Sequence, residues 1–198
     1  MVIQERAART RGALVRAAAE EIDRNGYDGA TLVRICKRAE VSMGALTFHF
    51  ASKDKLADAV GDRGRQLTRD LVDRRLSGRA SALCSVVDLT AEIARLLEQD
   101  VTVRSAARLA RECPDAVGCW TQAWLPGVRK LLERADEEGE LSEAGGPEAV
   151  AELAVHLMAG AEAHIRTTTA VRGAPSGSAA ARLVRIWQLT LRGVSAAK

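Results

Sequence analysis

The chain has 198 residues, 47% of them apolar and 28% charged, which is enough for one large or two small domains with a sizeable buried core and excludes a chain without one. Aromatic residues make up only 3% while Ala, Leu and Arg abound, and β-branched residues rarely alternate with polar ones, so helices are expected throughout and strands are not needed. The net charge of +3 is unevenly spread: residues 1 to 75 carry 15 Lys and Arg against 11 Asp and Glu, and the remainder 14 against 15. A basic front on a neutral body suits contact with a polyanion such as double-stranded DNA, and an ordinary solvated helical surface is the alternative. No apolar run approaches the roughly 20 residues that span a bilayer, and Met1 to Arg11 is polar with no apolar signal core, so no membrane association and a cytoplasmic location are expected. Cys36, Cys84, Cys113 and Cys119 lack CxxC spacing and read as reduced structural thiols. Cys113 and Cys119 flank a Pro-containing turn, where the alternative is a regulatory disulfide.

In chain order, Leu14, Val15, Ala18, Ala19 and Ile22 form a stripe at helical spacing, and Gly26 supplies a left-handed stop to a first helix over 3–25. Thr31 can cap a short helix bearing Leu32 and Ile35, and Ser42 can cap another bearing Ala45, Leu46 and Phe48. Only Ala39, Glu40 and Val41 separate them, with Val41 as the core residue of the turn. Two short helices joined in this way predict a helix-turn-helix whose second helix enters the major groove. Ser52 caps a long helix that Ser77 and Gly78 end, and further helices are predicted over 81–100, 103–112, 118–138, 147–170 and 178–194. Pro147 fits a first helical turn, and the stretch from Arg172 to Ser178, with Gly173, Pro175 and Gly177, is the clearest loop.

The run Val41-Ser42-Met43-Gly44-Ala45-Leu46-Thr47-Phe48-His49-Phe50-Ala51-Ser52-Lys53 resembles the TetR family of repressors, behind a matching first helix that ends in Gly26-Tyr27. The wording Gly-Ala-Leu-Thr-Phe-His-Phe is most similar to the γ-butyrolactone receptors of actinomycetes and their pseudo-receptor relatives, which control antibiotic pathways. The resemblance implies an all-α, TetR-like fold: a helix-turn-helix DNA-binding domain over 1–52, and a ligand-binding and dimerisation domain over 53–198 that opens with a connecting helix, 53–76. Its implied partners are a pseudo-palindromic operator in double-stranded DNA, a small apolar ligand, and a second copy of the chain. In the residues themselves, small Gly44 and Ala45 let a recognition helix approach the groove floor, while Ser42, Met43 and Thr47 offer hydroxyl or apolar contacts to bases and phosphates. Phe48 and Phe50 are expected to anchor that helix to the core. By resemblance Thr31, His49 and Lys53 touch phosphates, and Arg6, Arg9 and Arg11 could add an N-terminal arm; solvated surface charge is the alternative for the basic ones. Two features depart from the family pattern. Met43 and Thr47 stand where Lys and Tyr are common, which predicts fewer phosphate contacts and a shallow salt dependence. Glu40 stands where Gly is usual, at a cost of about 1 kcal/mol if the position needs a positive φ.

Trp120 and Trp124 are four apart, on one face of the helix predicted over 118–138, and a flat ring beside a pocket can hold an apolar ligand. By resemblance Trp120 is the preferred ligand contact, and simple core filling is the alternative for both. Val150, Leu153, Leu157 and Ala161 on one helix, with Leu183, Ile186, Trp187, Leu189 and Leu191 on the last, make faces suited to a twofold mate. His156 and His164 read as interface histidines, since no third metal ligand follows at helical spacing. No cofactor, metal or catalytic residue is expected, because no GxSxG, HExxH or P-loop motif occurs. The reading is a DNA-binding repressor of secondary metabolism released by a small apolar ligand. The alternatives are a regulator with a vestigial pocket controlled by a protein partner, and a helical enzyme.

Overall fold

The computed structural model describes residues 2–76, 81–113, 119–142, 146–170 and 178–194. The described residues form α1 (Val2–Gly29), α2 (Leu32–Ala39), α3 (Met43–His49), α4 (Lys53–Leu76), α5 (Ala82–Gln99), α6 (Val101–Glu112), a 3-10 turn (Trp120–Ala123), α7 (Leu125–Glu137), α8 (Pro147–Ala170) and α9 (Ala179–Val194). The chain divides into two compact units, one made of Met1–Leu67 with Asp100–Trp120, the other of Thr68–Gln99 with Thr121–Lys198. The end predicted for α4 at Ser77 and Gly78 and most of the loop from Arg172 to Ser178 lie outside the described residues.

In the first unit the apolar stripe of α1 (Leu14, Val15, Ala18, Ala19, Ile22) is buried against Ile35, Leu46, Phe50, Leu56, Val60 and, from far along the chain, Leu109 of α6. The α1–α6 seam is also polar. Arg104 forks onto Asp23 at 3.1 Å, Arg108 donates to the Asp23 carbonyl at 2.8 Å, Ser105 donates to the Ala19 carbonyl at 2.6 Å, and the Tyr27 N–H donates to Glu112 at 2.8 Å. Burial by itself would raise the Glu112 carboxyl, but the Tyr27 N–H and the Arg108 guanidinium outweigh it and hold the group below its ordinary value. The expected break at Gly26 is present with φ 74°, and its ψ of 175° lies beyond the left-handed helical region, in backbone space that only glycine enters easily. A Cβ there would also stand 2.7 Å from the Arg108 guanidinium. On the other flank of α6, Gly64 of α4 lets the helices touch, since a Cβ would come within 2.4 Å of Ala106.

In the second unit α5 is buried along most of its length, and the Trp187 ring of α9 is fully buried with its N–H donated to Thr90 Oγ1 at 2.9 Å. This corrects part of the face expected to need a twofold mate. Val150, Ala161, Leu183 and Trp187 are buried within the protomer, while Leu189 at 71% and Ile186 at 38% exposure remain outside. The single helix predicted over 118–138 is also corrected, because it is divided into the 3-10 turn and α7. Pro126 sits in the first turn of α7, the one place where a helix tolerates its missing N–H, so the chain must restart its helix there.

Two helix starts in this unit are closed by distant carboxylates. Glu140 accepts from the Leu83 and Ala82 N–H groups at 2.8 and 3.2 Å and from the Ser81 hydroxyl at 2.8 Å; Glu98 accepts from the Ser178 hydroxyl at 2.9 Å and from the Ala179 N–H. Each places negative charge where four helical N–H groups lack intrahelical partners. Burial pushes the Glu140 carboxyl up, yet these donors together hold it below its ordinary value of 4.5. A carboxyl lowered by folding contributes stability above its unfolded value and loses it as the pH falls through the folded one. Glu140→Ala should therefore cost about 1 to 2 kcal/mol at pH 7. In urea unfolding at a series of pH values the gap to the parent chain should narrow below about pH 4.5, and a constant gap would contradict the capping role.

Candidate functional site

The helix-turn-helix is built by its caps. Thr31 Oγ1 accepts from the Arg34 N–H at 3.4 Å and Ser42 Oγ from the Ala45 N–H at 3.1 Å, so each expected cap is in place. Between them Glu40 closes α2 in the left-handed region, φ 56° and ψ 39°, and its N–H bonds back onto the carbonyls of Cys36 and Lys37. It is the one non-glycine residue with positive φ among the described residues. Val41 packs against the core of the first unit, as expected of the turn.

α3 is too short to persist alone and is held from beneath. Leu46 is fully buried and Phe50, just past the helix end, is buried with the Arg11 guanidinium 5.1 Å over its ring. The rest of its surface is bare: Ser42, Met43, Gly44, Thr47 and Phe48 are all exposed. Phe48 is thus corrected from an anchor to an outward residue. It is 82% exposed, with its ring against the edge of His49 at 5.2 Å and 81°. The sequence held the signal, because Leu46 and Phe50 are four apart and fix the inward side, which turns Phe48 away. A Cβ on Gly44 would meet nothing nearer than Ser42 Oγ at 3.9 Å. The Thr47 hydroxyl donates to the Gly44 carbonyl at 3.1 Å, while the residue as a whole is exposed.

Of the residues expected at phosphates, Thr31 is exposed, and His49 and Lys53 are half-buried. The Lys53 ammonium lies 4.4 Å over the Tyr27 ring and donates to the Asp28 carbonyl at 3.3 Å, which fixes the start of α4 to the end of α1. The Tyr27 hydroxyl donates to Asp54; that bond first and burial second push its pKa to about 12, so the phenol stays a neutral donor. Arg9 reaches only Glu5, at 3.9 Å, and Arg6 is exposed.

Trp120 and Trp124 are both buried, Trp120 in the 3-10 turn and Trp124 at the N-cap of α7. They do not share a helix, so the one-face argument for pairing them is corrected. His156 and His164 border a groove of about 250 Å3 between α8 and α9, lined by Leu157, Gly160, Ala161, Leu183 and Ile186. Among the described residues the four cysteines are free, no cluster of three or more His, Cys, Asp or Glu is placed to hold a metal ion, and no helix is long and apolar enough to cross a membrane.

Residues 14–60, from the core stripe of α1 into α4, match the family of bacterial regulatory proteins named tetR. TylP, a TetR regulator from Streptomyces fradiae, is 34% identical with a TM-score of 0.63, over 96% of this chain and 88% of that one. The chain belongs to the TetR family. CprB, a TetR protein from Streptomyces coelicolor whose structure was solved with its operator sequence, is 29% identical with a TM-score of 0.79, over 96% of this chain and 90% of that one. The A-factor receptor protein of Streptomyces griseus is 34% identical over 143 residues, 71% of this chain and 49% of the receptor, so the shared stretch spans about half of that relative's length. Within this TetR helix-turn-helix, Glu40 is the strained position. Glu40→Gly should raise stability by up to about 1 kcal/mol, the relief of the left-handed strain less glycine's greater entropy when unfolded. Equilibrium urea unfolding reads it, and a loss of stability would contradict the strain argument.

Proposed function

We propose that this chain is a homodimeric, DNA-binding repressor that a small apolar ligand releases from its operator, with antibiotic-pathway genes as its targets. The observation that carries the DNA half is Gly44. Gly44 lies in the first turn of α3, and nothing in the protein fills the space that a side chain there would take. Gly12 and Gly160 are open in the same way, but only Gly44 lies on the second helix of a helix-turn-helix, where that space lets the backbone approach a groove closely. A twofold dimer would set two such helices about one DNA turn apart, roughly 34 to 36 Å. In this reading Thr31, His49 and Lys53 meet phosphates while Ser42, Met43, Gly44 and Thr47 meet the groove. The operator-bound structure of CprB supports it, as does the basic excess of residues 1 to 75.

The ligand half is supported by relatives described as an A-factor receptor and as a γ-butyrolactone receptor, the latter 26% identical with a TM-score of 0.77. Trp120 and Trp124 are the side chains we propose meet the ligand. We place the second copy on the α8–α9 face, where Ile186 lines the groove and Leu189 of the same helix is also exposed. Release follows if the ligand favours a different spacing of the recognition helices, through the continuous helix α4. A coupling of about 1 to 3 kcal/mol is enough for a useful shift.

A mobility-shift assay on DNA upstream of the chain's own gene, with and without a synthetic γ-butyrolactone, tests both halves. Gly44→Ala should keep or raise stability, whereas Gly44→Leu should keep the fold and weaken operator binding tenfold or more, about 1.4 kcal/mol. Equal affinities for both variants would remove the argument from Gly44. Trp120→Phe should shift DNA as the parent does yet need at least tenfold more lactone for release, about 1.4 kcal/mol of lost ligand binding. An unchanged lactone response would reject Trp120 as the contact.

A further inference from the structure

We propose that this protein reads its operator chiefly through thymine methyl groups, with Phe48, Met43 and the Thr47 methyl as the reading surface; the proposal rests on the DNA-binding reading above and specifies its chemistry. At 100° per residue Met43, Thr47, Gly44 and Phe48 lie about 60°, 100°, 160° and 200° round the helix from Leu46, an arc of about 140° that runs from the flank of the buried side to its far face. That face carries none of the Arg, Lys, Asn, Gln, Asp or Glu side chains that pair with base edges in the major groove. The Thr47 hydroxyl donates to the Gly44 carbonyl, while Ser42 Oγ accepts from the Ala45 N–H and keeps its own O–H as the one short donor on this side.

What the face offers instead is apolar. Among the described residues five large apolar side chains are strongly exposed, and three belong to the helix-turn-helix: Val33 of α2 at 69%, Met43 at 40% and Phe48 at 82%. Single exposed apolar residues are ordinary on a surface, but Met43 and Phe48 are two on one seven-residue helix, with a third on the helix before it. The Phe48 ring is 82% exposed and meets the edge of the neighbouring His49 ring. In the major groove the one apolar handle is the C5 methyl of thymine, which uracil lacks while keeping every hydrogen-bonding group.

The test uses the full-length protein and a random-sequence duplex pool. Bound sequences are selected, then resynthesised with uracil in place of thymine, and both forms are titrated by fluorescence anisotropy. The expected result is a thymine at a fixed position in each enriched half-site and a Kd about fivefold or more higher for the uracil duplex. Phe48→Ala should weaken binding to the thymine duplex by a similar factor and bring the two duplexes to within twofold of each other. Thr47→Val keeps the methyl and should bind within twofold of the parent, whereas Thr47→Ser keeps the hydroxyl and should bind more weakly. Equal Kd values for thymine and uracil duplexes, or the reverse order of the two Thr47 variants, would overturn the proposal while leaving DNA binding intact. Failure of any duplex to enrich would overturn the DNA-binding reading itself.

Discussion

The first unit depends on the seam between α1 and α6. A three-helix head made from residues 1 to 52 would leave one side of the α1 stripe without a lid, and α6, some fifty residues further on, supplies it through Leu109. The apolar contact fixes only a distance. The fork of Arg104 on Asp23, the Ser105 bond to Ala19 and the Glu112 cap on Tyr27 fix the register, because each uses a group whose position along its helix is set. Gly26 makes the last of these possible, since its backbone turns the Tyr27 N–H out of the helix and toward Glu112, and any side chain there would collide with Arg108.

From that seam the order passes outward in steps. Tyr27 and Asp28, placed just past the break, hold Asp54 and Lys53 at the start of α4, so the end of α1 and the start of α4 are set by one cluster of contacts. α3 lies between α2 and α4 with a short loop on each side, and Leu46 and Phe50 draw it onto the same core. A helix of seven residues has too few internal hydrogen bonds to outweigh its own nucleation, so its persistence is borrowed from this packing. The inward residues are thereby committed to the fold and the outward ones are released from it. That division explains how a glycine, a methionine and an exposed phenylalanine can occupy one face of α3 without loss of the unit.

The legible parts of the fold were those governed by local chemistry. Caps at Thr31 and Ser42, the positive φ at Gly26 and at Glu40, and the limits of α8 all follow from residue types whose preferences act over four residues or fewer. What escaped the sequence was decided by neighbours distant in the chain or by a single residue read too lightly. Phe48 looked like an anchor because aromatic residues usually are, and only the inward pair of Leu46 and Phe50 turns it outward. Trp187 looked like interface until Thr90, ninety-seven positions away, gave its N–H a buried acceptor. The division of the helix at Trp120 turned on Pro126, whose missing N–H is harmless only in a first turn.

The same logic separates two kinds of exposed apolar surface in this chain. On α9, Ile186 lines a groove whose floor is small and aliphatic and whose edges carry His156, His164 and Arg182, a concave surface that can take a protruding side chain. Met43, Thr47 and Phe48 stand on a convex helix beside a glycine, so their partner must itself be concave and must bring its apolar groups on its floor. The major groove of B-DNA is about 12 Å wide and 8.5 Å deep, which admits a helix, and its thymine methyls project from the base edges at the depth that a side chain on the helix face reaches. Convexity and the absence of Arg, Lys, Asn and Gln from these positions thus both agree with the proposed thymine-reading surface, one on geometric and one on chemical grounds.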